Sequence, residues 1–372
     1  MIRKQRLKKS FLSLIKINSI SLHEGNVVRY LKKELNRSGL KTRIDNARSK
    51  IGGESGNLIG YLKGNVKGTK TIMLNAHVDT VSSGINIKHG IKKGTIRSDG
   101  RTILGADDKA GVAVILEALR VLKEDKIPHG DVQIVFTVAE EIGLIGAKAL
   151  VRNNLKADLG FAIDGGSPDI ILNRAPSQDN IEAKILGKAA HAGVHPEDGI
   201  NAIQVASKAI ASMKLGRIDK ETTANIGIIR GGQATNIIPE RVRIKGEARS
   251  HSLGKLKKQI KHMKEELKKA CRKHKAKLKI KVSPAYRSFS VSNDHKVLRL
   301  AVAAARSIGI KPKIRSTGGG SDANAFNRLG LPTIILGVGA TGVHTNKERI
   351  KIDDMVKGTK VILEAIKLTA LK

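Results

Sequence analysis

Apolar positions recur at helical spacing early in the chain. Leu7, Phe11, Leu14 and Ile15 mark one face of a first helix, and Val27, Val28, Leu31 and Leu35 a second, which stops at Gly39. Ser21-Leu22-His23-Glu24 reads as a capping box ahead of that second helix. Short strands are expected over 41–44 and 57–62. Thr71-Ile72-Met73-Leu74-Asn75-Ala76-His77-Val78-Asp79 is then a strand running out into a polar tip. A helix from near Lys109 follows, then a strand over 132–138, the pair Glu140-Glu141, a short helix past Gly146, and a strand over 159–163 that ends on Asp164. Strands alternate with helices, and polar residues collect at the strand carboxyl ends, where an open α/β sheet keeps its site.

From Gln178 the pattern changes. A strand over 181–186, a helix over 200–213 and strands over 222–229 and 236–247 precede a long amphipathic helix on Leu253, Leu256, Ile260, Met263 and Leu267. A strand over 278–282 completes a β-α-β-β-α-β order, which predicts a small ferredoxin-like α+β domain. After Pro284 the α/β pattern returns: a helix over 294–307, a strand near Lys313, a glycine turn at 318–320, a helix over 321–328, a strand over 333–338 and a final helix. The expectation is an α/β domain in two parts, 1–177 and 287–372, interrupted by an inserted domain at 178–286.

Composition narrows the function classes. With no Trp and only 2% aromatic residues, the cores must be aliphatic, and base-stacking platforms are excluded. The net charge of +36 invites a polyanion partner or steering of acidic substrates. Because the cations are dispersed and few aromatics interleave with them, a solvated lysine-rich surface is the preferred reading, and nucleic acid is not expected as a partner. The single Cys271 rules out an intramolecular disulfide and suits a reducing compartment. Arg3 to Lys9 resembles a signal n-region, but Lys16 interrupts the short apolar stretch after it, and no apolar run approaches bilayer length. A cytoplasmic protein with no membrane contact is expected.

Five places can do chemistry. Asp107-Asp108 follows a glycine turn; two carboxylates there either cap a helix or, facing a cleft, demand a cation. In His77-Val78-Asp79 the two polar side chains share a face, so Asp79 can orient an imidazole that binds metal through its other nitrogen. The neighbouring side chains of Glu140 and Glu141 diverge, so one can bind metal while the other reaches a water; an acidic helix start is the plainer alternative. Asp164 before Gly165-Gly166 is a strand tip or a turn cap, and His344 is a loop histidine. Together these residues form a mixed nitrogen and oxygen set suited to zinc or a similar ion, and Asp107 could bridge two.

The motifs Asn75-Ala76-His77-Val78-Asp79-Thr80, Gly105-Ala106-Asp107-Asp108-Lys109 and Ala139-Glu140-Glu141-Ile142-Gly143, with Asp164 and His344, resemble in order those of a zinc peptidase superfamily. It includes peptidase T, aminoacylases, carboxypeptidase G and succinyl-diaminopimelate desuccinylase. Gly187 to Gly193, Gly231 to Glu240 and Gly318 to Ala323 match too, and the chain is most similar to the peptidase-T-like branch. The resemblance implies a mixed-sheet catalytic domain with an inserted lid and dimerisation domain, and a homodimer formed through the insert. It implies two Zn2+, with Co2+ or Mn2+ as substitutes: one held by His77, Asp107 and Asp164, the other by Asp107, Glu141 and His344. Glu140 would be the general base and Asp79 the orienter of His77. His191 would reach the active site of the other subunit, while Asn236 and Arg249 would bind the substrate backbone or carboxylate. The implied substrate is a short peptide cut by a tripeptide aminopeptidase; an N-acyl amino acid cut by a deacylase, or a carboxypeptidase substrate, is the alternative.

Overall fold

The structure, a computed structural model, describes residues 1–371. The chain divides into two compact units: Met1–Arg174 together with Phe289 onward, and Ala175–Ser288.

The first unit is built on a nine-stranded mixed sheet. Strands Ile72–His77 and Val132–Thr137 are buried at every position, so both of their faces are covered, which is what their near-continuous apolar runs require. Ile72–His77 runs parallel to Val132–Thr137 on one side and to Leu159–Gly165 on the other, and Thr333–Gly337 extends the parallel set. The flanks are antiparallel: Leu58–Leu62 pairs with Val132–Thr137, and Lys41–Ile44 with Leu58–Leu62. On the far side Ile170–Ala175 runs against Thr333–Gly337.

Helix Ala106–Glu124 contains two non-helical residues, Asp107 (φ −82, ψ 104) and Asp108 (φ −121, ψ 31), so its regular part starts at Lys109 as the apolar spacing predicts. The Asp107–Asp108 peptide bond is cis. Asp108 Oδ1 accepts the Gly111 N–H at 3.2 Å and caps the first regular turn. A Cβ on Gly111 would lie 2.2 Å from the Ile163 carbonyl oxygen, so glycine lets this helix approach the sheet.

Ser21 and Glu24 do not form the expected capping box. Helix Gly25–Arg37 has no side-chain cap; Ser21 Oγ donates to Asp79 instead, and Glu24 accepts the N–H groups of Leu22 and Ala139. A three-stranded antiparallel sheet of His89–Lys92, Thr95–Ser98 and Arg349–Lys351 has no counterpart in the hydrophobic pattern. These strands have three or four residues each, and of their apolar residues only Ile96 and Ile350 are buried.

The second unit is a five-stranded antiparallel sheet in the order Gly216–Arg217, Thr222–Gly231, Arg241–Ser250, Ser177–Leu186, Lys277–Tyr286. Helices Ala202–Ala211 and Leu253–Lys273 cover one face with an aliphatic core that includes Ile181, Ile185, Val242, Ile244, Met263 and Cys271. Residues 236–240, expected to begin a strand, form a loop that ends at Arg241. On the opposite face Arg243 pairs directly with both Arg230 and Lys184, and Lys184 pairs with Lys279. Positive charge is therefore gathered in a row here as well as spread over the surface. Among the described residues no helix is long and apolar enough to cross a membrane.

Candidate metal centre

Except for Asp107, which lies at the start of helix Ala106–Glu124, the candidate residues of the first unit sit at or just after the carboxyl ends of the parallel strands, as an open α/β sheet places them. His77 is the last residue of its strand, with Asp79 two residues on; Glu140 and Glu141 follow Val132–Thr137. Asp164 is near the end of Leu159–Gly165, and His344 is on the loop after Thr333–Gly337.

Asp107 lies between two imidazoles. Its Oδ1 is 3.1 Å from His77 Nε2 and its Oδ2 is 3.3 Å from His344 Nε2. His344 Nε2 is also 3.0 Å from Glu141 Oε1. His77 Nδ1 faces Asp79 through the carbonyl oxygen at 3.1 Å and through Oδ1 at 3.4 Å. Asp79 is wholly buried, and it accepts the N–H of Glu140 at 2.9 Å, the N–H of Glu141 at 3.1 Å and Ser21 Oγ at 2.6 Å. Asp164 Oδ2 accepts Ser321 Oγ at 3.0 Å.

Two groups have ligand atoms within 4.8 Å of one another: His77 with Asp107 and Glu141, and His77 with Asp108 and Asp164. Asp108, which the resemblance leaves out of the ligand set, thus stands as near to His77 and Asp164 as a ligand would. Its Oδ2 is buried with no hydrogen-bond partner among the described residues.

The electrostatics follow from crowded, buried carboxylates. Burial pulls the His77 imidazole down, but hydrogen bonds to Asp107 and Asp79 overcome it and hold the ring well above its ordinary range. His344 is pushed up to about 10 by Asp107 and Glu141. Burial opposes ionisation of Asp107, yet the two imidazoles hold it below the carboxylate range. Glu140 is raised by burial against the attraction of His77, with Asp164 and Asp322 adding to the rise; Asp164 is raised by burial and by Asp107. A divalent cation relieves this repulsion, and two imidazoles among carboxylates form a donor set that zinc, cobalt or manganese accepts.

Several residues to which sequence reasoning gave no role in the site support it. Asp322 is buried, accepts from Thr137 Oγ1 and from Asn75 Nδ2, and is pushed up to about 6 by burial. Glu24 Oε1 accepts at 2.9 Å from both Leu22 and Ala139, two non-glycine residues at positive φ (75° and 53°) on either side of Asp79. The buried carboxylate of Glu348 accepts the N–H groups of Leu104, Gly105 and Asp107. Ser321-Asp322 stood in a recognisable motif; Glu348 and Glu24 had no signal of this kind.

In the second unit His191 and Asn236 share a loop cluster. His191 bridges Ile237, its Nδ1 accepts the N–H groups of Gly193 and Val194, and the Asn236 carbonyl accepts the Ala192 N–H. Arg249 is not beside them. It lies near the far end of Arg241–Ser250, roughly 25 Å along the strand, where its guanidinium forks onto Glu247 at 2.7 and 3.2 Å.

The model of the peptidase family M20/M25/M40 matches residues 73–368. A tripeptidase from Staphylococcus aureus superposes with a TM-score of 0.93 at 41% identity, and each chain is covered in full. The aminopeptidase PepT of Bacillus cereus has a TM-score of 0.87 at 42% identity, with 99% of each chain covered. Peptidase T of Fusobacterium nucleatum is 30% identical over 99% of this chain and 89% of its own.

Proposed function

The chain belongs to the peptidase family M20/M25/M40, and from that premise we propose that it is a two-metal aminopeptidase acting on tripeptides. The observation that carries this reading is Asp107 between His77 and His344, with Glu141 on the same His344 nitrogen. His77, Asp107 and Asp164 would hold one Zn2+, and Asp107, Glu141 and His344 the other. Such a pair supplies a Lewis acid for the scissile carbonyl and acidifies water at neutral pH.

The protein's own groups move the proton. Glu140, raised by burial, accepts a proton from the attacking water and returns it to the departing amine. Asp79 fixes the His77 ring and the backbone that carries Glu140. Arg249 would hold the substrate carboxylate, for which a planar guanidinium is suited, and Glu247 keeps that fork in place until substrate arrives; Asn236, which shares the loop cluster of His191, would hold the substrate backbone from the same side as His191. His191 would stabilise the oxyanion. Its distance from Arg249 along the strand favours its serving the site of a second copy, in a homodimer formed through the second unit. The tripeptidase and PepT relatives favour a tripeptide over an N-acyl amino acid. A cytoplasmic location accords with the single cysteine.

The test is a substrate panel. Chelator-stripped protein is resupplied with zinc, cobalt or manganese and offered tripeptides, dipeptides and N-acyl amino acids. Release of the amino-terminal residue from tripeptides, restored by metal, is expected. Full activity without metal, or cleavage confined to N-acyl amino acids, overturns the proposal.

A further inference from the structure

We infer that Glu348 is a positioning residue for the metal centre: its carboxylate sets the turn that presents Asp107 and ties that turn to the loop of His344. The inference rests on the reading of Asp107 and His344 as metal ligands. Glu348 is only 1% exposed. Its Oε1 accepts the Asp107 N–H at 2.9 Å, and its Oε2 accepts those of Leu104 and Gly105 at 2.7 and 2.8 Å. These N–H groups lie on the turn that leads into helix Ala106–Glu124, ahead of its regular part. Breaking such bonds inside the protein leaves both sides desolvated and unpaired, so the carboxylate selects one conformation of the turn.

Glu348 is four residues beyond His344, and its neighbours on either side are fastened to the stretch that precedes this turn. Asn346 Nδ2 donates to the Gly100 carbonyl at 3.0 Å, and from Arg349 the chain pairs with Thr95–Ser98. Glu348 and the small three-stranded sheet thus anchor the same end of the loop, and Thr341, bridged to Arg349, closes the loop from its other end. Asp107 and His344, 3.3 Å apart, are held by one assembly even before a cation arrives. A simple helix cap does not need Glu348, because Asp108 already caps the first regular turn. The remote carboxylate acts on Asp107 itself.

The test uses the full chain and the variants Glu348→Gln and Glu348→Asp. Stripped protein is titrated with Co2+ against a chromophoric chelator, and the visible d–d spectrum of the bound ion is recorded with the affinity. The amide of Glu348→Gln can satisfy one side of the turn but turns an NH2 group toward the other. It is expected to weaken binding of at least one ion by about 10–100-fold, as loss of an outer partner of a ligand does, with an altered spectrum. The shorter acid of Glu348→Asp should give a smaller loss in the same direction, and it is read in place of Glu348→Gln if that variant does not fold. Lower thermal stability with unchanged affinity and spectrum overturns the inference. A wild-type chain that takes up no metal overturns the ligand reading beneath it, whereas a wild type that loads and a variant that loads equally well overturns only the role of Glu348.

Discussion

Asp79 accepts the backbone N–H of Glu140 at 2.9 Å while its other oxygen takes the N–H of Glu141 and the hydroxyl of Ser21. One buried carboxylate therefore aims an imidazole and also shapes the turn that carries the proposed base and a proposed ligand. In Asp79→Asn an NH2 group must face one set of these donors. A loss of about 10–100-fold in kcat/KM is expected, with weaker zinc retention on dialysis. Unchanged retention and turnover would show that Asp79 is dispensable.

Glu140 should separate from the ligands in a different way. Glu140→Gln removes the proton acceptor and keeps the shape, so metal content measured by elemental analysis should stay near wild type. Peptide hydrolysis should fall by about 10²–10⁴-fold. Retained metal with nearly normal turnover would remove the residue from the mechanism.

Glu24 gives a dependence on pH. Burial, with the charge of Asp79 added, pushes its carboxyl up from 4.5 to about 7. The folded state then holds a proton that the unfolded chain gives up, so stability falls as pH rises from about 4.5 to 7, by up to ~1.4 kcal/mol per pH unit, and levels off above. Glu24→Gln has no such proton. In urea titrations the variant should gain on wild type between pH 5 and pH 8; a difference that does not change with pH would refute the assignment.

Gly111→Ala would normally strengthen a helix by about 1 kcal/mol. Here the added carbon meets the Ile163 carbonyl at 2.2 Å and Asp108 Oδ1 at 2.4 Å. A net loss of about 1–3 kcal/mol is expected by denaturant unfolding, whereas a more stable variant would mean that the helix and strand can part without cost.

The row of directly opposed cations in the second unit should be improvable. Lys184 is exposed between Arg243 and Lys279, and like charges in this arrangement destabilise a sheet. Lys184→Glu should raise stability by about 0.5–1 kcal/mol, an effect that shrinks in 1 M salt. A variant of equal or lower stability in low salt would show that the row costs nothing.

The α/β alternation, the inserted β-α-β-β-α-β order and the gathering of polar residues at strand ends were all legible in the chain, because long periodic segments declare which face is buried. His77 and Asp79 stand out because they end a run that is otherwise apolar. Other features left no such trace. Ser21 and Glu24 have capping-box spacing, yet both side chains are drawn to Asp79 and Ala139, partners more than 50 residues away that only the fold brings near. The strands of the small sheet are too short to show a period. Glu348 is buried by three peptide N–H groups, and in a polar loop such a residue looks like any solvated glutamate. Asp108 and Asp107 are adjacent and alike, so which of them faces His77 and Asp164 depends on backbone angles that composition does not reveal.

The strands that lead into and out of the second unit, Ile170–Ala175 and Phe289–Ser290, are neighbours in the nine-stranded sheet, and Asn173 and Val291 are hydrogen-bonded to each other. The second unit is thus a cassette spliced into the gap of what would otherwise be a hairpin. A turn of about two to five residues could close that gap, so replacement or exchange of the cassette between relatives needs only two joins, after Arg174 and before Phe289, and no rewiring of the sheet.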